Sequence, residues 1–303
     1  MRPGSVVLVG PTGSGKSDVA MSVARVVRGG EIVVCDAMQV YRGMDIGTAK
    51  PTASDRAEIA HFGLDLVDPS ERFTARDWQI AGSAAVKDIE RRRGTPIVVA
   101  GTGLYLASLV DQLKFPGEWP DIRAELERES DTGALFTRLV NLDPAAAAVT
   151  GSANRRRIIR ALEVVVGSGR RFSESGPGTG AYPPTAATMI GIRWDRDVLA
   201  RRIATRVRAM VTAGFVEEVA RLRTSWRLSR TAATALGYAE LGAYLDGSCT
   251  LDEAMATTTL RTRQYAVRQE RWFRRDPRIR WIDVKHDPVR EVAPALIAAT
   301  EIR

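Results

Sequence analysis

Short apolar runs separated by polar stretches of helical period set out the plan of this chain. Ser5–Val9 (SVVLV), Glu31–Cys35 (EIVVC) and Ile97–Ala100 (IVVA) are Val-rich runs without alternation. That pattern suits strands buried on both faces. Between them, Val19, Ala20, Val23, Ala24 and Val27 recur at helical spacing. Trp78, Ala81, Ala85 and Ile89 mark a second helical face behind Thr74-x-x-Asp77, a capping-box pattern. Leu64–Val67, closed by Asp68-Pro69, is expected as a further short strand. Strands alternating with helices predict an α/β fold, a doubly wound parallel sheet.

The texture changes at Phe115-Pro116-Gly117-Glu118-Trp119-Pro120 and again at the Gly/Pro-rich stretch 176–184. The segment between is charged and of helical character, which reads as a helical insertion domain between hinges. The expected division is therefore a core in two parts, 1–115 and 186–303, with an insertion at 116–185. Thr188–Trp194 is expected to rejoin the sheet. The next helix carries Ile203, Val207, Met210 and Val211 on one stripe, with Arg202, Arg206 and Arg208 placed elsewhere, and a further helix contains Val216, Val219 and Leu222. Residues 260–275 interleave six arginines with Tyr265, Trp272 and Phe273. Ile279–Val284 is the expected last strand, followed by a short amphipathic helix.

Composition changes this picture in one respect. Of 303 residues, 44 are Lys or Arg and 36 Asp or Glu, a net charge of +8 that favours a polyanionic partner. Two cysteines, Cys35 and Cys249, argue for a reducing compartment, and with only two histidines no Cys/His cluster at zinc spacing can be assembled. No apolar run approaches membrane-spanning length and the N-terminus lacks a signal-peptide core, so a cytoplasmic protein without a membrane partner is expected. Nothing demands more than a monomer.

The candidate chemistry begins where the first strand ends. Gly10-Pro11-Thr12-Gly13-Ser14-Gly15-Lys16-Ser17 matches G-x-x-x-x-G-K-[ST] in full, between a strand and a helix. The glycines let backbone N–H groups converge on an anion at a helix N-terminus. Lys16 adds a full charge, and the Ser17 hydroxyl can ligate Mg²⁺. The motif implies a phosphate or pyrophosphate site, not ATP in particular. A nucleotide hydrolase would normally carry an Asp at the end of another buried strand, whereas Ile97–Ala100 runs into Gly101-Thr102. The acid is instead Asp36, at the carboxyl end of the second strand and on the edge where ligands bind in open α/β sheets. Small-molecule kinases place an acid there too, so these residues alone leave the reaction open. His61, beside Phe62, reads as structural, and Cys35 as a small core residue.

The run from Asp36 to Pro51, DAMQVYRGMDIGTAKP, strongly resembles the signature of the tRNA dimethylallyltransferases, also called tRNA isopentenyltransferases. The resemblance continues in order through Ala100-Gly101-Thr102-Gly103-Leu104-Tyr105, Arg157-x-x-Arg160-Ala161-Leu162-Glu163-Val164, Leu236-Gly237-Tyr238, Arg263-Gln264-Tyr265 and Arg268-Gln269. It implies transfer of a dimethylallyl group from dimethylallyl diphosphate to the exocyclic amine of the adenosine 3′-adjacent to the tRNA anticodon. The P-loop would then hold diphosphate with Mg²⁺, and Asp36 and Thr102 would be catalytic. Asp36, Ala37, Met38, Gln39 and Thr102 would meet the target base, and Arg123, Arg156, Arg157, Arg160, Arg263, Gln264 and Arg268 the tRNA anticodon stem-loop. Three departures are visible. Ala37 stands where the family usually has Ser, and Ala100 where it has Gly. The C-terminal zinc finger of eukaryotic relatives is not seen, which suggests the bacterial type. The competing readings are a small-molecule kinase, prenylation of free adenine nucleotides, and a non-catalytic RNA-binding protein.

Overall fold

A computed structural model describes residues 1–176 and 178–301; Pro177, within the second Gly/Pro stretch, and residues 302 and 303 lie outside it. The chain divides into two compact units, one of Leu113–Ala181 and one of Met1–Gln112 with the chain from Tyr182 onward.

The larger unit begins β1 (Val6–Val9), α1 (Lys16–Val26), β2 (Gly30–Cys35), α2 (Ala53–Glu58), β3 (His61–Phe62), α3 (Ala75–Arg91), β4 (Thr95–Ala100) and α4 (Gly103–Val110). The smaller unit holds α5 (Pro120–Arg128), α6 (Thr132–Leu142), α7 (Pro144–Thr150) and α8 (Arg155–Ser168). The larger unit resumes with β5 (Thr188–Trp194), α9 (Arg196–Thr212), α10 (Phe215–Ser225), α11 (Arg230–Ala233), α12 (Tyr238–Leu245), α13 (Leu251–Phe273), β6 (Ile279–Val284) and α14 (Pro288–Thr300).

The six strands form one parallel sheet in the order β3-β2-β4-β1-β5-β6. Because β1 is wholly buried, its alternate side chains feed two cores. Val6 and Leu8 pack with α1 and α14, and Val7 and Val9 with α3, α4 and Phe273. That is the three-layer arrangement of a doubly wound sheet. A third core joins Val40, Tyr41 and Met44, beyond β2, to Phe215, Val219, Leu222, Tyr238 and Leu241 of α10 and α12. In the smaller unit, Leu126, Leu135, Leu139, Ile158 and Leu162 gather α5 to α8 around a core of their own.

Two local expectations are corrected. The strand beyond α2 is His61–Phe62, not Leu64–Val67; only Val67 of that run bridges, to Tyr41. Its neighbours are spent on a turn in which Asp65 takes a positive φ of 54° and pairs with Lys50 and Arg56. On α3 the capping box of Thr74 and Asp77 is present, but the buried face is Trp78, Gly82, Val86 and Ile89, rotated from the expected Ala81 and Ala85. Gly82 lies against Trp78, where a Cβ would stand 3.0 Å from the indole, so the bare backbone leaves the ring its room. No helix among the described residues is long and apolar enough to cross a membrane.

Candidate active site

A cavity of about 960 Å³ is lined by the loop 12–17 after β1, by 36–39 after β2, by Gly101 and Thr102 after β4, and by residues of α9 and α13. All three loops leave the carboxyl ends of parallel strands, where a ligand meets converging backbone rather than a closed edge.

The phosphate loop is shaped by glycine at two positions. Gly13 and Gly15 take φ of 79° and 89°, left-handed values that a side chain would strain. The backbone carbonyls are held by named donors. Lys16 Nζ donates to Gly10 O and Pro11 O at 2.8 and 2.9 Å. Arg202 Nε donates to Gly13 O at 2.9 Å, and Trp194 Nε1 to Ser14 O at 3.0 Å. The Arg202 guanidinium also stacks 4.5 Å from the Trp194 ring, so β5 and α9 brace the loop together.

Two cations meet at this loop. Burial, and then the Arg206 charge, lower the Lys16 ammonium to about 7, against an opposing pull from Asp36. Burial also lowers the Arg206 guanidinium from its ordinary value, while Asp36 and Asp18 favour its charge. Among the described residues, none forms a hydrogen bond or ion pair with Arg206. A half-buried guanidinium with its N–H fork free is a ready partner for a phosphate oxygen pair. This corrects the placement of Arg206 away from the apolar stripe: it lines the cavity with Ile203, Val207 and Met210. The signal was present, because 203, 206, 207 and 210 follow the i, i+3, i+4, i+7 rule of one helix face.

Opposite lies the acid. Asp36 Oδ1 accepts the N–H groups of Met38 and Gln39 at 2.8 and 3.3 Å, a local turn that fixes the carboxylate where β2 ends. Its Oδ2 faces Gly101, lying 2.9 Å from where a Cβ there would stand. Thr102 occupies the N-cap position of α4 but makes no cap hydrogen bond. Its Oγ1 instead accepts the Ala37 N–H at 3.0 Å, joining the β2 and β4 turns. Gln39 Nε2 donates to Thr48 O at 3.1 Å, tying the acid's turn to the loop 45–50.

Buried groups pin that loop in turn. The Glu218 carboxylate accepts the N–H groups of Asp45, Ile46 and Gly47 at 2.9, 2.8 and 3.1 Å, and the Tyr238 hydroxyl at 2.7 Å. Lys50, buried, bridges Asp45 and Asp65 at 2.8 and 2.6 Å. Gly47 is tight against Phe215, whose ring would lie 2.2 Å from a Cβ.

Tyr265 and Gln269 of α13 complete the wall. Gln269, buried, accepts the Thr12 N–H at 2.8 Å through Oε1 and donates to Gly101 O at 2.7 Å through Nε2. Tyr265 lines the cavity beside it, and burial raises its phenol above the ordinary value. Neither was singled out for the site from sequence, although both stand within the matching blocks 263–265 and 268–269. Of the α13 residues expected to meet RNA, Arg263 and Gln264 are exposed, and Arg268 lines the cavity with its guanidinium 5.7 Å from the Tyr265 ring.

In the smaller unit, Arg156 and Arg157 are exposed at the start of α8. Arg123 and Arg160 meet on the buried Glu163, at 3.3 and 2.9 Å, and Arg160 also donates to Pro116 O at 3.0 Å. His61 Nδ1 lies 2.7 Å from Ile59 O, a structural role, and Cys35 is fully buried.

A fully parallel α/β sheet with a phosphate loop after β1, a basic cavity and an acid after β2 defines a P-loop-class, anion-binding protein. A family model described as IPP transferase matches residues 39–276, and one described as isopentenyl transferase matches 4–63. The chain is 45% identical to a tRNA dimethylallyltransferase of Kineococcus radiotolerans, over 91% of this chain and 90% of that protein. It is likewise 45% identical to one of Geobacter sulfurreducens, over 92% and 91%. Among solved structures, the tRNA isopentenylpyrophosphate transferase of Bacillus halodurans aligns at a TM-score of 0.71 with 36% identity, covering 98% and 96% of the two chains. A eukaryotic dimethylallyltransferase described as acting on tRNA aligns at 0.83 with 25% identity, covering 97% and 77%. The chain belongs to the tRNA dimethylallyltransferase family. It is a prenyltransferase, which sets aside the kinase and the non-catalytic RNA-binding readings.

Proposed function

We propose that this chain moves the dimethylallyl group of dimethylallyl diphosphate onto the exocyclic amine of the adenosine 3′-adjacent to the tRNA anticodon. The observation that supports it most is the sharing of one cavity by Lys16, Arg206 and Asp36, close enough for the Arg206 and Asp36 charges to act on Lys16 and for Asp36 to act on Arg206. In the reaction the C–O bond to diphosphate breaks, a C–N bond forms, and one amine proton must leave. Lys16, Arg206 and the loop N–H groups take up the charge that grows on the departing diphosphate. Asp36 accepts the proton, a positioned-base role worth roughly 10²–10⁴-fold. Thr102, engaged with Ala37, holds the acid's turn against the β4 end and faces the same base and phosphate. Ile203, Val207 and Met210 offer the five-carbon group an apolar wall.

The residues present suit Mg²⁺. Ser17 lines the cavity, and among the described residues no other group hydrogen-bonds its hydroxyl. Magnesium is commonly held by one or two protein oxygens together with phosphate oxygens and water. Bound there, it would supply charge neutralisation to the diphosphate.

An adenine must leave its stack to reach such a cavity. Met38 and Gln39 line the cavity beside Asp36 to meet it. Arg263, Gln264 and Arg268 on α13 supply phosphate contacts, and Arg123, Arg156, Arg157 and Arg160 of the helical insertion supply others on the anticodon stem-loop. We place the protein in the cytoplasm as a monomer. The test is incubation with labelled dimethylallyl diphosphate, Mg²⁺ and unmodified tRNA. Label entering tRNA supports the proposal, whereas prenylation of free adenine nucleotides with none of tRNA contradicts it.

A further inference from the structure

We propose that Gln269 sets the number of phosphates this P-loop accepts, closing it to a third. The inference rests on the reading of the loop as a diphosphate site.

In nucleotide-triphosphate proteins the loop backbone and its Lys cradle a phosphate chain whose outer end lies toward the strand that supplies the metal-holding acid. Here β4 ends in Ala100-Gly101-Thr102, without that acid, and a side chain fills the space between the two strand ends. The Gln269 carboxamide accepts the Thr12 N–H at 2.8 Å and donates to Gly101 O at 2.7 Å. One face of α13 fixes it there. A Cβ on Gly103 would lie 2.0 Å from the Trp272 indole, and Phe273 is buried in the sheet core.

A terminal phosphate could replace Oε1 as acceptor for Thr12, but nothing would then replace Nε2 as donor to Gly101 O. Its oxygens would face that carbonyl and the Asp36 carboxylate, whose Oδ2 and the Gln269 Nε2 both adjoin Gly101, at 2.9 and 3.5 Å from the position of its Cβ. Burying an anion against a carbonyl and a carboxylate is unfavourable whatever the loop offers on the other side. The inner part of the loop, residues 13–17 with Lys16 and Arg206, is untouched by the carboxamide and remains for a shorter chain. Rejection built from an occupied position rather than a missing contact is the usual way a site excludes a longer homologue.

The experiment compares Mg²⁺-pyrophosphate with Mg²⁺-tripolyphosphate by titration calorimetry on the full chain. The wild type should bind pyrophosphate at least about tenfold more tightly, despite the greater charge of tripolyphosphate. In Gln269→Ala the preference should shrink to less than about threefold, through a gain for tripolyphosphate. Gln269→Asn, which withdraws the carboxamide by one methylene and keeps its polarity, should shift the ratio in the same direction if the alanine variant does not fold. A wild type that binds tripolyphosphate as well as pyrophosphate overturns the proposal, and so does an unchanged ratio in a folded variant. A wild type that binds neither contradicts the diphosphate reading as well. Loss of prenyl transfer in a variant with an unchanged ratio speaks only to catalysis and leaves the exclusion disproved.

Discussion

The Thr102 hydroxyl accepts a hydrogen bond from the Ala37 N–H at 3.0 Å, so a residue at the start of α4 holds the turn that carries Asp36. The bond replaces the helix cap that Thr102 would otherwise make. Thr102→Ser should retain most of the prenyl-transfer rate. Thr102→Val, which keeps the shape but cannot accept the bond, should lower kcat by about tenfold or more, since misplacing a reacting group by a fraction of an ångström is costly. Steady-state kinetics on both variants checks this, and equal rates would detach Thr102 from catalysis.

The Lys16 ammonium, lowered to about 7 by burial and by Arg206, is mostly neutral at pH 8 in the free protein. An anionic diphosphate favours the charged form and draws the value upward. Binding at pH 8 should therefore take up about one proton that binding at pH 6, where Lys16 is already charged, does not. Calorimetry in buffers of different ionisation enthalpy reads this directly. Lys16→Met should abolish the difference between the two pH values, and an equal difference in that variant would assign the proton elsewhere.

Arg206 acts on the same equilibrium from the other side. Arg206→Gln should raise KM for the prenyl diphosphate by about tenfold to a hundredfold, the loss of a charge-assisted pair of bonds. Because Arg206 is the leading charge that depresses Lys16, the variant should also take up less proton at pH 8. A raised KM with unchanged proton uptake would separate the two residues.

The larger part of the architecture was legible in the chain because it is local. Val-rich runs buried on both faces located β1, β2 and β4, the apolar segments 188–194 and 279–284 located β5 and β6, and the phosphate loop needed only its eight residues and its flanks. What was missed depends on partners distant in sequence. β3 is two residues long and pairs only with β2, too short to leave a periodic signal. Glu218, not singled out in the chain, is buried under a turn more than 170 positions away. Gln269 has meaning only against Thr12 and Gly101, which the fold brings to it. Arg206 was the one miss that helical spacing alone could have found. It was set apart from the stripe because it is charged, and that charge inside an apolar face is what marks it as functional.

Glu218 is the next test of stability. It satisfies three backbone N–H groups and one hydroxyl from a buried position. Glu218→Gln turns one acceptor into a donor facing N–H groups, and should cost about 2–3 kcal/mol. Tyr238→Phe, which leaves the three backbone bonds, should cost about 1 kcal/mol. Urea unfolding checks both. Since residues 47–51 line the cavity, Glu218→Gln should also raise KM for substrate.

In the proposed reaction Asp36 takes the amine proton while the phosphate loop holds the leaving group. Single-turnover transfer from labelled dimethylallyl diphosphate to tRNA, wild type against Asp36→Asn, tests it most directly, because the amide oxygen can still accept the Met38 and Gln39 N–H groups that shape the turn. Transfer should slow by about a hundredfold or more with diphosphate binding retained. Transfer at the wild-type rate would contradict it.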